Sequence, residues 1–267
     1  MKHHTKFTIC LPLLFFVVMC GNSPQVKPSA KQPKYSFSGL WVNQDWVDSL
    51  KLYKSAKFIK TNGCLELFIS DSAQRAWSFE GEADPAIASW YFEHPNINFR
   101  FSAKRDSLIQ LKTAGEFLYY NGPDKQIRFA RCDSQYYEKP TTQGYQTATR
   151  KIANDVLLAG KFSIIENHTG INYKKEITFT KDGTIENLSP YEHFEICLAG
   201  NCRRFCDEMD LVYFSPVKNE PGGKFYSFCW KKNILELYEV RSLEWMSDWP
   251  DIQPERLWMK LSVASKQ

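Results

Sequence analysis

The chain repeats itself, and both copies alternate with a period of two. Gly39-Leu40-Trp41 recurs as Gly160-Lys161-Phe162, and residues 59–66 (IKTNGCLE) recur as 179–186 (FTKDGTIE). Residues 99–111 (FRFSAKRDSLIQL) line up with 225–237 (FYSFCWKKNILEL), and Phe129-Ala130-Arg131 lines up with Trp258-Met259-Lys260. All four offsets fall between 120 and 129 residues and keep the same order, which marks a tandem repeat. Within the copies, Leu65-x-Leu67-x-Ile69, Phe99-x-Phe101-x-Ala103 and Leu257-x-Met259-x-Leu261 alternate, as strands with one buried face do. Asn62-Gly63 and Asp182-Gly183 sit where hairpin turns are expected. Helical spacing occurs only at 147–158, through Ile152, Val156 and Leu157. The expected fold is all-β: one antiparallel domain over 37–133, a linker with a short helix over 134–158, and a second domain over 159–263.

The N-terminus has a different character. Lys2 and Lys6 precede an apolar run from Phe7 to Met19, broken by Pro12, and Cys20 follows. A spanning helix needs roughly 20 apolar residues, so the run is too short for a permanent anchor. The order of basic, apolar and cysteine resembles the leader of bacterial lipoproteins. That resemblance implies a signal peptide over 1–19 and acylation of Cys20, with palmitate-type chains, as the new first residue. Two or more such chains hold a protein stably on a membrane. Plain secretion and an uncleaved anchor are the alternatives. Residues 21–36 (GNSPQVKPSAKQPKYS) have Val26 as their one large aliphatic and read as a disordered tether. The expected location is a bacterial membrane, with the outer membrane preferred.

Five lysines precede the first acid, Asp45, which leaves 29 basic against 30 acidic residues in the rest of the chain. That near-neutral body excludes the basic excess of a nucleic-acid binder. Eight cysteines are present. Cys10 leaves with the leader and Cys20 takes the lipid, so Cys64, Cys132, Cys197, Cys202, Cys206 and Cys229 remain. An even number in an exported chain favours disulfides. Pairing within halves gives Cys64–Cys132 and three arrangements of the other four, of which Cys197–Cys202 with Cys206–Cys229 is preferred. Free thiols and a zinc site from His193, Cys197, Cys202 and Cys206 are the competing readings.

Gly-x-Trp on a first strand, a meander, and a closing strand with aromatic-x-basic together resemble the lipocalin-like (calycin) barrels of bacterial envelope lipoproteins. The likeness covers most of 37–263. It implies two tandem eight-stranded barrels, each able to hold one small ligand or to be filled by its own side chains. Two β-sandwiches are the alternative. In a closed meander the first and last strands are neighbours, so Arg131 should lie over the Trp41 ring. Lys260 should take the matching place over Phe162.

No catalytic constellation is visible. His94, His168 and His193 are the only histidines after the leader, and none has triad spacing to a nucleophile. There is no Gly-x-Ser-x-Gly, phosphate loop or His-Glu-x-x-His. Aromatics make up 15% of the chain and cluster at Trp90-Tyr91-Phe92 and Tyr119-Tyr120. Neighbours on a strand cannot share one face, so one of each pair must point away from its own core. The sequence therefore suggests a non-enzymatic envelope lipoprotein without cofactor, binding a small apolar ligand or an envelope protein. A structural or assembly component is the first alternative, and a secreted hydrolase or inhibitor the second.

Overall fold

A computed structural model describes residues 36–57, 65–70, 75–79, 86–101, 108–121, 126–136, 148–198, 209–218, 222–242 and 252–264. The leader, Cys20, the tether, the Asn62-Gly63 turn, Cys64, Cys202 and Cys206 lie outside the described residues. The first copy runs β1 (Gly39–Asn43), α1 (Gln44–Tyr53), β2 (Glu66–Ser70), β3 (Arg75–Phe79), β4 (Ala86–Glu93), β5 (Asn96–Phe101), β6 (Leu108–Ala114), β7 (Phe117–Asn121) and β8 (Gln126–Arg131). A single 3-10 turn (Ser134–Tyr136) follows, and then α2 (Ala148–Leu157). The second copy runs β9 (Gly160–Asn167), β10 (Glu176–Phe179), β11 (Thr184–Leu188), β12 (Tyr191–Ile196), β13 (Asp210–Ser215), β14 (Lys224–Lys231), β15 (Ile234–Ser242) and β16 (Ile252–Val263).

Each copy is an antiparallel meander that returns to its start. Every strand pairs with the next, β8 pairs back onto β1, and β16 pairs back onto β9, so both sheets close into barrels. Gly39 and Gly160 open the first strand of each barrel at φ of 128° and 152°, a conformation available chiefly to glycine. The glycine of the repeated Gly-x-aromatic pattern therefore has a backbone role.

The period of two sorts the side chains as pleating requires. In barrel 1, Trp41, Leu67, Ile69, Ile97, Phe99, Leu111, Leu118, Ile127 and Phe129 form one buried cluster. Of the aromatic runs, Trp90, Phe92 and Tyr120 pack against that cluster, whereas Tyr91 is exposed. Leu40 and Val42, flanking Trp41, point the other way. They join a second cluster that includes both helices and the interior of barrel 2.

α1 is an addition to the expected all-β first domain. Asn43 caps it, its side chain accepting from the Trp46 amide at 3.0 Å, and asparagine is a preferred residue at that position. Lys54, at φ 48°, closes it in a left-handed turn, its amide donating to the Leu50 carbonyl. Trp46, Val47 and Leu50 form its buried face. The two helices pack on one another, and these three side chains share a cluster with Ala148, Ile152, Ala153 and Leu157 of α2.

Candidate functional site

Three places gather the side chains that the sequence or the fold singles out: the closing seam of barrel 1, the interior of barrel 2, and the junction between the barrels.

At the seam, Trp41 on β1 is the register partner of Arg131 on β8. The Arg131 guanidinium carbon lies 5.1 Å from the Trp41 ring centroid, within the range of a cation–π contact. The indole N–H donates to the Phe37 carbonyl at 2.9 Å. The Phe37 ring in turn packs on Phe92 at 5.1 Å and edge-on to Trp90 at 6.5 Å. Phe129 faces the interior with Trp41. Arg128, one residue before Phe129, turns outward to Asp48 at 2.7 Å and Asp45 at 3.5 Å. Arg131→Met keeps most of the stem and removes the charge. Arg131 is exposed, so the loss is expected to cost about 0.5–1 kcal/mol in urea unfolding, and Arg131→Lys should lose less.

The matching pair in barrel 2 is not formed, which corrects the expectation for Lys260. The ladder between β16 and β9 shifts register between Lys260 and Leu261. Lys260 is thereby set against Glu166, and its ammonium binds that carboxylate at 2.8 Å. The hydrogen bond from Lys260 is the main reason the Glu166 carboxyl is held below its ordinary range. Phe162 is instead opposite Val263. Its ring is buried and packs on Phe179 at 5.7 Å and Trp230 at 6.0 Å. Trp230, anchored by its indole N–H to the Leu157 carbonyl at 2.9 Å, supplies the neighbour that Lys260 was expected to be. The true counterpart of Phe129-Ala130-Arg131 is thus Leu261-Ser262-Val263, three residues beyond the sequence match.

Rings fill the interior of barrel 2. Phe214, with no exposed surface, has Tyr226 at 5.2 Å, Tyr191 at 5.7 Å, Trp258 at 5.9 Å and Phe179 at 6.0 Å. Tyr226 stacks on Trp258 at 4.2 Å. The two tyrosine hydroxyls, Tyr191 and Tyr226, bond to each other at 2.9 Å. Buried hydroxyls without a partner are costly, and this pairing satisfies both internally. Burial, chiefly, raises the Tyr226 phenol well above its ordinary value.

At the junction each barrel holds a piece of the other. Glu66, on β2 and 2% exposed, accepts from the backbone amide and the hydroxyl of Thr149 at the start of α2. Lys54, just after α1, donates to the Val156 carbonyl in the last turn of α2 at 2.8 Å. An acid at the N-terminus and a base at the C-terminus are the signs that complement a helix dipole. Here both come from barrel 1, while α2 leads into barrel 2. In return Asp210, on β13 and 5% exposed, accepts from the amides of Ala56 at 2.7 Å and Lys57 at 3.0 Å. Neither acid was a candidate in the sequence. Glu66→Ala would leave a buried amide and hydroxyl without their acceptor. It is expected to cost about 1–3 kcal/mol in thermal or urea unfolding, whereas Glu66→Gln, which retains a carbonyl oxygen, should cost less.

Cys132 and Cys229 are free thiols. Cys132 is buried, and desolvation, with smaller contributions from Glu66 and Asp133, pushes it up to about 12. The Cys229 thiol donates to Glu236 at 3.8 Å and is also raised, chiefly by burial. Both shifts run opposite to the lowered value of an activated thiol nucleophile. Among the described residues no group of three or more His, Cys, Asp and Glu side chains is placed to hold a metal ion. The chain shows no significant match to any family model, curated protein or solved structure.

Proposed function

We propose that the chain is a lipoprotein of a bacterial envelope, anchored through acylated Cys20, whose two lipocalin-like barrels form a rigid body that engages a protein partner. The observation that carries this reading is the ring-filled interior of barrel 2, where Phe214 touches four other aromatic side chains. Ligand pockets of the usual kind need several hundred cubic ångströms of space, and packed rings favour an outer surface over an inner cavity for recognition. Among the described residues the closed sheets leave no edge strand to add to, so a partner would read side chains on outer faces and loops. Exposed Tyr91, Val217 and Phe225 offer such contacts. The raised Cys132 and Cys229 thiols accord with a role other than thiol catalysis.

Native mass spectrometry of the full chain extracted from membranes, combined with cross-linking before extraction, tests this. The expected result is a body without a stoichiometric small molecule and a reproducible cross-link to an envelope protein. A stoichiometric apolar ligand, displaced when barrel 2 is unfolded, would overturn it in favour of a carrier.

A further inference from the structure

We propose that the outer face of barrel 1 carries a binding strip for a neutral polysaccharide chain, made of four carboxamides and one tyrosine set side by side on β4 to β8. Pleating turns Ile97, Phe99, Leu111 and Ile127 inward, so the residues between and beside them face out. Register lines five of the outward residues up. Tyr91 is opposite Asn98, and Asn98 is opposite Gln110. Leu111 is opposite Tyr120, so the next step of that ladder sets Gln110 against Asn121, and Asn121 is opposite Gln126. The row crosses four strand spacings, roughly 19 Å. Tyr91 is 49% exposed, and Gln110, Asn121 and Gln126 are exposed as well. No residue in the row is charged.

Each amide of the row uses one half of its hydrogen-bonding capacity. The Gln110 amino group donates to the Asn98 carbonyl at 2.9 Å, and the Gln126 amino group donates to the Asn121 carbonyl at 2.8 Å. A carboxamide carries two donor hydrogens and an acceptor oxygen. The halves left over therefore alternate along the row: the Asn98 amino group, the Gln110 carbonyl, the Asn121 amino group and the Gln126 carbonyl. Three of these belong to exposed residues and are hydrated. Asn98 differs. It is 1% exposed although it faces outward, and its Nδ2 is buried without a hydrogen-bond partner. A buried donor left unpaired is unfavourable, and native structures keep few of them. Its register neighbours on either side are the exposed side chains of Tyr91 and Gln110, so an acceptor entering between them reaches Nδ2.

A sugar hydroxyl both donates and accepts, so a run of them matches alternating amino and carbonyl groups. The flat apolar face of a pyranose ring stacks on an exposed tyrosine, whose own body is apolar and whose tip is polar. The even spacing of the strands suits a ligand built of repeated units, and the lack of charge in the row selects a neutral chain over an acidic one. A protein fits this strip less well. The centre of a protein interface is apolar and aromatic, whereas here the centre is amide and the aromatic ring stands at one end. The strip adds a second ligand to the protein-partner reading, lies apart from the barrel 2 contacts Val217 and Phe225, and does not depend on acylation of Cys20.

Calorimetric titration of the full chain with cellohexaose, maltohexaose, mannohexaose and chitohexaose tests this, followed by NMR of the side-chain amides with the sugar that binds best. At least one sugar should bind with a Kd of about 1 mM or tighter. Tyr91→Ala should weaken that binding about three- to tenfold, and Asn98→Leu should weaken it by a similar factor. Phe225→Ala, on the other barrel, should leave it unchanged. The side-chain amino signals of Asn98 should shift on saturation. Should Asn98→Leu not fold, the Tyr91 variant and the Asn98 signals decide. No binding of any of these sugars would overturn the strip. So would binding that is indifferent to Tyr91→Ala or leaves the Asn98 signals unmoved. A protein cross-link lost in Tyr91→Ala, with no sugar bound, would also overturn it and assign the face to the protein partner. Sugar binding at the strip without any protein cross-link would instead sink the protein-partner reading and leave the strip standing.

Discussion

Phe214→Ala is expected to lower the unfolding free energy by about 3–5 kcal/mol, the usual cost of removing a fully buried phenylalanine. Four rings surround Phe214 at centroid distances of 5.2–6.0 Å. None can close the gap without leaving its own neighbours, because Tyr226 is stacked on Trp258 and tied to Tyr191. A domain of this size loses roughly 2–4 °C in melting temperature for each kcal/mol, so the midpoint should drop by about 6–20 °C. Phe225→Ala is the comparison. Phe225 is 37% exposed on the outer face and packs on Tyr213 at 5.0 Å, so its loss should cost a small fraction of that amount. Equal costs for the two substitutions would mean that the interior of barrel 2 is loosely packed, and the case for a solid barrel would fail.

Cys20→Ala is expected to move the protein from the membrane fraction to the soluble fraction almost completely. Two or more acyl chains hold a protein stably on a membrane, and on the lipoprotein proposal Cys20 is the residue that carries them. No helix among the described residues is long and apolar enough to cross a membrane, so none of them supplies a helical anchor in its place. Fractionation and labelling with a palmitate analogue check this together. A variant that stays membrane-bound, alongside a wild type that takes up no label, would contradict the lipoprotein proposal.

What the sequence disclosed depended on how local each signal was. Alternation at Leu67 and Ile69 and at Phe99 is a property of a few neighbouring residues, and it gave the strands. The pairing of Trp41 with Arg131 needs only the order of a closed meander. α1 carried a readable signal in Asn43 followed by Trp46, Val47 and Leu50, but the repeat itself concealed it, because the second copy has no helix between its first two strands. Lys260 was misplaced because β16 carries irregularities that simple alignment cannot detect. The ladder slips between Lys260 and Leu261 and also twice along β15. Glu66 and Asp210 were invisible for a different reason. Their donors stand 83 and about 154 residues away, and an isolated acid in an alternating strand looks like any solvent-facing charge until its partner is known.

That separation also fixes an order of events. A chain is made from its N-terminus, so β1, α1 and β2 emerge long before Asp210 does. The amides of Ala56 and Lys57 must therefore wait, still bonded to water, until β13 has been synthesised. Glu66 waits likewise for Thr149. The first barrel can pair its eight strands early, but the outer surface that α1, Leu40 and Val42 present remains uncovered until the second half arrives. A nascent chain stalled between the two copies would expose that apolar surface to chaperones and to other stalled chains, whereas the completed protein hides it.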